Sequence, residues 1–168
     1  SHHRYFSAFS SGDNAGRYVF FPLHVDPEAS TMVLAPYHSN QFAAIEALSK
    51  SVPLSMPVVV KEHPSMYGKR HKDFYAAIQK LPNVVLIGPD THSHDLIRNA
   101  GLVATITGTA GLEAIIMKTP LLIMGQAPYM AIGQGFVQCQ SYAHLPEAVM
   151  TALNTPEADD TAIIDYIA

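Results

Sequence analysis

The chain has 168 residues, 48% hydrophobic and only 14% charged, which suits one domain with a sizeable core and excludes intrinsic disorder. Ten Lys and Arg against 14 Asp and Glu leave a net charge of -4, which argues against a nucleic-acid binder with its strongly basic surface. The single cysteine, Cys139, excludes an internal disulfide and a cysteine-built metal site, and suits a reducing compartment.

Ser1-His2-His3-Arg4 is no signal peptide, because no apolar stretch follows it. The two histidines read as native or as a purification-tag remnant, and the start without Met reads as part of a longer protein. Residues 1–16 read as an N-terminal extension or linker. Tyr18-Val19-Phe20-Phe21 is then a buried strand. Phe42, Ile45, Leu48 and Val52 fall on one face of a helix. Val58-Val59-Val60 is a second strand, with Pro57 tolerated at its start. Phe74, Ile78 and Leu81 mark the next helix. Val84 to Ile87 is a third strand, ended by Gly88-Pro89. A short helix carries Leu96, Ile97 and Ala100. Leu102 to Ile106 is a fourth strand, and Leu112, Ile115 and Ile116 lie on a helix that Pro120 stops. Leu121 to Met124 is a fifth strand. Leu145, Ala148, Val149, Ala152 and Leu153 phase as a last strong helix. The tail 155–168 carries four acids and no base, as a solvated helix that closes the domain or packs on a partner domain. The longest apolar runs fall far below the ~18 residues of a membrane-spanning helix.

These strands are apolar on both faces, the mark of a parallel sheet covered by helices. Strand–helix alternation then predicts right-handed crossovers and a doubly wound α/β domain of five to six strands over residues 17–154. In such a fold ligands sit beyond the carboxyl ends of the strands. The loops after the strands therefore hold the candidate chemistry.

After the first strand comes PLHVDPEAST. His24 and Glu28 there suit an acid/base pair, and Ser30 suits a phosphate contact or a helix cap. Asp26 reads equally well as part of a plain connector, and Thr31 reads better as one. After the second strand comes Lys61-Glu62-His63-Pro64, where Pro64 fixes the turn and orients the imidazole of His63 toward a phosphate or leaving-group oxygen. Half of the Lys and Arg residues lie at positions 61–80, a basic patch that suits an anionic ligand. Lys72 and Lys80 in it read as a solvated helix face. After the fourth strand comes Thr107-Gly108-Thr109-Ala110-Gly111-Leu112-Glu113. Its small residues admit a ligand to the backbone, its hydroxyls suit a phosphate, and Glu113 suits ribose hydroxyls. The alternative is a capped helix start with Glu113 favoured by the dipole. Asp90-Thr91-His92-Ser93-His94-Asp95 has the look of a metal site but no third ligand at fixed spacing. A helix cap on Asp90, Thr91 or Ser93 with exposed histidines is preferred. The stretch Gly125 to Gly135 reads as a flexible loop able to close over a ligand. Met117, Met124, Met130 and Cys139 read as packing residues. No G-x-G-x-x-G, Walker loop, G-x-S-x-G elbow or zinc-protease helix is present, which disfavours dehydrogenases, P-loop NTPases and α/β-hydrolases.

Taken in order, YVFFPLHVDPEAST, KEHP and TGTAGLEA followed by KTPL resemble the bacterial capsule polysaccharide biosynthesis family and related surface-carbohydrate glycosyltransferases. The resemblance spans about Tyr18 to Tyr129. It implies the C-terminal, donor-binding half of a GT-B architecture, two Rossmann-like domains facing a cleft. On that resemblance, His63 contacts the donor phosphate together with Lys61 and Pro64. Thr107, Gly108 and Thr109 hold the phosphate, and Glu113 binds the ribose. The loop with His24, Glu28 and Ser30 lines the donor side. The donor is a CMP- or UDP-linked sugar, with no cofactor or metal required, and the acceptor is a glycan or glycolipid held by a preceding acceptor-binding domain that this chain lacks. The implied location is cytoplasmic, peripheral at the inner membrane face. UDP-N-acetylglucosamine 2-epimerases share a similar His-Pro loop and late glutamate. They rank lower because their acidic-glycine run is replaced here by Thr107-Gly108-Thr109. A nucleotide-sugar epimerase or hydrolase domain, or a non-catalytic binding module, remain the alternatives.

Overall fold

A computed structural model describes residues 2–25 and 41–168. Six strands form one parallel sheet: β1 (Val19–Pro22), β2 (Val58–Lys61), β3 (Val84–Ile87), β4 (Leu102–Thr105), β5 (Leu121–Ile123) and β6 (Val137–Gln138). Their spatial order is β3-β2-β1-β4-β5-β6. Growth runs outward from β1 to β3 on one side, then returns to the other side of β1 at β4. This is the doubly wound, Rossmann-like order, with its reversal between β1 and β4.

Strand residues alternate between faces, so one strand feeds two cores. Val19, Phe21, Val58 and Val60 belong to one core with α1 (Gln41–Ser51), α2 (Lys72–Gln79) and α5 (Leu145–Leu153). Tyr18, Phe20, Val59 and Val103 belong to the other with α3 (Ser93–Asn99), α4 (Ala110–Ile116) and α6 (Asp160–Ile167). The Val and Phe side chains of β1 and the Val side chains of β2 are fully buried, which is why those strands read as unbroken apolar runs.

β1 pairs with β2 from Val19↔Val58 to Pro22↔Lys61, but with β4 only at Val19↔Leu102 and Phe20↔Val103. Beyond Phe20 the two strands part, and a crevice opens at the point of reversal. Pro22 costs the β2 ladder nothing, because the alternate residues Val19 and Leu23 donate to it (Leu23 N–H to the Lys61 carbonyl, 2.9 Å), and the N–H that proline lacks would face β4, where pairing has ended at Phe20.

Outside the sheet, the first residues lie on the domain. Ser7 N–H donates to the Leu86 carbonyl (2.8 Å), and the Tyr5 and Phe6 rings pack on Tyr75 at 5.7 and 5.3 Å. At the other end, α6 buries Ile163 and is capped by Asp159, whose Oδ1 accepts from Ala162 N–H (2.7 Å). Among the described residues no helix is long and apolar enough to cross a membrane.

Candidate functional site

The crevice between β1 and β4 widens into a cavity of about 280 Å³ at the carboxyl ends of β1, β2 and β4. His24, Lys61, His63, Pro64, Gly108, Thr109 and Glu113 all line it, so three loops distant in sequence meet at one opening. Glu28 and Ser30, with Asp26 and Thr31, lie outside the described residues.

Lys61 ends β2 and is only 7% exposed. Its Nζ donates to Ser93 Oγ at the start of α3 (2.7 Å), and it makes no ion pair among the described residues. Burial pulls its pKa below the ordinary lysine value, and the more distant charge of Asp90 opposes that shift. A buried ammonium with one neutral partner is a strong attractor for an anion.

His63 stands exposed at the cavity wall, with extended backbone (φ -72°, ψ 133°) ahead of a 3-10 turn at Pro64–Met66. Its Nδ1 accepts from Ser65 N–H (3.2 Å) and lies 2.8 Å from Ser65 Oγ. A ring that accepts at Nδ1 carries its proton on Nε2 when neutral, leaving that N–H as a donor. Pro64 thus orients His63 through the turn it starts.

His24 is buried. Gln41 brackets its peptide: Oε1 accepts from His24 N–H (2.6 Å) and Nε2 donates to its carbonyl (3.2 Å). Its ring packs on Gly108, where an added Cβ would stand 2.7 Å from His24 Cε1. Glycine at position 108 is therefore a steric requirement of the imidazole.

The TGTAG turn follows β4. Gly108 N–H donates to Thr105 Oγ1 (3.1 Å), and Tyr129 Oη donates to the Gly108 carbonyl (2.8 Å). The Tyr129 ring fills the place where a Cβ on Gly111 would go. Thr109 occupies the cap position of α4 but spends no side-chain hydrogen bond on it. The residue is exposed and lines the cavity. Thr107 is buried and does not line the cavity, and its Oγ1 has no hydrogen-bond partner among the described residues. Glu113 lies on α4 at the rim, its Oε2 3.0 Å from His94 Nε2.

Three expectations change. The stretch Gly125 to Gly135 is not an open loop: it forms a 3-10 turn at Pro128–Ile132 whose Tyr129 and Ile132 are buried, and Tyr129 props the TGTAG turn. The cap of α3 is His92, with no side-chain bond, because the Ser93 hydroxyl is drawn to Lys61. The basic patch is divided: Lys69, Lys72 and Lys80 are exposed, whereas Arg70 is buried against Glu62. No group of three metal-ligating side chains occurs among the described residues, so the His92–His94 stretch does not assemble one. Residues that local spacing does not reveal are Gln41, Ser93, Thr105, Arg70 and Tyr129. Gln41, Ser93, Arg70 and Tyr129 act through contacts 17 to 46 residues away and Thr105 through Gly108 three residues on, and only the Tyr129 aromatic within a glycine-rich stretch left a trace.

Comparison with known proteins places the chain in a family. A stretch of 89 residues, 49% of the chain, is 33% identical to the capsule polysaccharide export protein KpsS of Escherichia coli, covering 22% of that protein. The fold is similar to the UDP-GlcNAc 2-epimerase of Methanocaldococcus jannaschii, with a TM-score of 0.64 at 18% identity over 94% of this chain and 46% of that one. It is also similar to KpsC of Thermosulfurimonas dismutans, a beta Kdo 2,7 transferase, with a TM-score of 0.60 at 20% identity over 90% of this chain and 53% of that one. The chain thus spans about half the length of these solved structures and less than a quarter of the curated relative. Matched over residues 3–148 by the model of that family, the chain belongs to the capsule polysaccharide biosynthesis proteins.

Proposed function

We propose that this chain is the donor-binding half of a glycosyltransferase of capsule or surface polysaccharide biosynthesis, with residues 17–154 as the binding domain and 155–168 as its closing tail. The observation that carries the reading is the meeting of a buried ammonium, an imidazole N–H and a hydroxyl at the edge where the sheet order reverses. Lys61, His63 and Thr109 together suit the phosphate of a CMP- or UDP-linked sugar. Glu113 at the rim suits ribose hydroxyls. The cavity, at about 280 Å³, is just below the range for whole small-molecule ligands, ~300–1,000 Å³, and so encloses part of a nucleotide sugar rather than all of it.

When the glycosidic bond to phosphate breaks, negative charge grows on the departing nucleotide. Lys61, buried, and the His63 Nε2–H, at the open wall, are preorganised to meet that charge, and the buried member acts most strongly because water is kept from it. Holding the donor in one pose supplies the rest. Neither role needs a metal or a cofactor. His24, and Glu28 on the same loop, take the acid/base role toward the sugar or its acceptor. The acceptor, a glycan or glycolipid, belongs to a preceding acceptor-binding domain outside this chain, and the location is cytoplasmic at the inner membrane face. The likeness to UDP-GlcNAc 2-epimerase supports a second reading, an epimerase or hydrolase domain, in which free sugar or nucleotide is released without an acceptor.

Calorimetric titration with CMP, UDP, GDP and ADP tests the proposal. Selective binding of CMP or UDP, weakened in folded His63→Ala and Glu113→Ala, is the expected result and names the donor. Unchanged affinity in both variants would remove the site, and no binding to any of the four would favour a non-catalytic interaction module.

A further inference from the structure

A buried ionic cluster behind the cavity is not used by the donor contacts. Lys61 and His63 face the cavity, and Glu62 between them points the other way, as alternation at a strand end requires. Glu62 is fully buried. Its Oε1 accepts from His63 N–H (2.6 Å) and from Arg70 Nη2 (3.1 Å), and its Oε2 accepts from Arg70 Nε (2.9 Å) and Tyr75 Oη (2.5 Å). The same Arg70 Nη2 donates to the carbonyl of His24 (2.8 Å). One guanidinium therefore ties the loop after β1 to the loop after β2, and the His24 ring carries the link on to Gly108 after β4.

Stability alone does not account for this cluster. Replacing a buried ion pair with packed apolar groups is often neutral or stabilising. What a bidentate guanidinium–carboxylate pair adds is direction, because its planar fork fixes both partners. We propose that Arg70, locked by Glu62, is a positioning residue that sets His24 and His63 at a fixed relation across the cavity. Its consequence for binding rests on the donor-site reading; its consequence for the two imidazoles does not.

Two variants and two readouts test this. Arg70→Lys keeps a cation beside Glu62 but loses the fork that spans to His24. Tyr75→Phe removes one donor from Glu62 and leaves Arg70 in place. The ring nitrogens of His24 and His63 are followed by long-range ¹⁵N–¹H correlation, and CMP and UDP affinity by calorimetry. In Arg70→Lys the His24 ring signals should move, and the dissociation constant of the nucleotide that binds should rise about tenfold. In a background with both rings removed, His24→Ala with His63→Ala, the same substitution should cost less than about threefold, because its effect runs through those two histidines. Tyr75→Phe should move the His63 amide and both rings in the same sense, by less. Folded Arg70→Lys with wild-type ring signals, or a tenfold loss that persists without both rings, overturns the proposal. If Arg70→Lys does not fold, unmoved signals in Tyr75→Phe overturn it. If the wild-type chain binds neither nucleotide, the donor reading fails and the ring signals alone decide the positioning.

Discussion

Lys61 shows how a costly residue can mark a site. The unfolded chain holds this lysine at its ordinary pKa, and the folded chain holds it lower through burial. Between those two values the folded state binds fewer protons than the unfolded one. Stability therefore rises with pH through that window, and below it the full cost of the buried charge is present. An anion in the cavity reverses this, because it favours the charged amine. Nucleotide affinity should thus fall as pH climbs through the lowered pKa, and binding in that range should take up a proton. Calorimetry in two buffers of different ionisation heat measures the uptake directly. Lys61→Met should abolish it and weaken nucleotide binding by about 10- to 100-fold, the worth of one charge-assisted hydrogen bond. The melting temperature of Lys61→Met should not fall, since the variant buries an apolar chain where an ammonium was desolvated. A lower melting temperature with unchanged affinity would make Lys61 structural.

Among the elements, the turn between β4 and α4 depends on a neighbour that enters much later in the chain. Tyr129 donates to the Gly108 carbonyl, and burial pushes its phenol above the ordinary value, so the donor persists into alkaline solution. Tyr129→Phe should cost about 1 kcal/mol of stability, since the carbonyl loses its donor. On the proposed contact between this turn and the donor phosphate, the variant should lose more affinity for UDP or CMP than for uridine or cytidine. Denaturant unfolding and paired titrations check this, and an equal loss for nucleotide and nucleoside would detach the turn from the phosphate. The same turn shows what was legible. Five strands could be read because Val58–Val60, Leu102–Thr105 and their like are apolar on both faces. β6 could not, since Val137–Gln138 offers one apolar residue and takes its strand state from pairing with Leu122 and Ile123. At the site, His63, Lys61 and the TGTAG turn were visible because strand ends mark the ligand edge. Glu62–Arg70 was not: no one helix or strand runs between them, since the chain turns at Pro64–Met66, and Arg70 looked like its exposed lysine neighbours. The 125–135 stretch misled for the opposite reason, its glycines and Pro128 suggesting a loop while Tyr129 and Ile132 were burying themselves.

For the whole molecule, the decisive feature is that the two ends of the sheet are built differently. At the carboxyl ends, the cavity is lined by a buried ammonium that makes no ion pair among the described residues, and by Ser93 and Thr109. At the amino end of β5, a second cavity of about 230 Å³ lies among Ile115, Lys118, Leu153 and Ala158. There the cation is already satisfied: Lys118 donates to the Ala158 carbonyl and pairs with Asp160 (2.8 Å). The first end is poised for an anion, and the second is a strut that fastens the tail to the domain. A ligand that binds only the folded state stabilises it by RT ln(1 + [L]/Kd), about 2.7 kcal/mol at a hundredfold excess over Kd. For a domain of this size that should raise the melting temperature by roughly 5–10 °C. Amide exchange gives the location. UDP or CMP should slow exchange in the segments after β1, β2 and β4, around His24, His63 and Gly108, and leave the segments around Lys118 and Ala158 unchanged. Protection confined to the Lys118 end would put the ligand on the wrong side of the sheet. A shift in melting temperature with protection spread evenly over both ends would mean that the nucleotide tightens the fold as a whole without occupying the crevice.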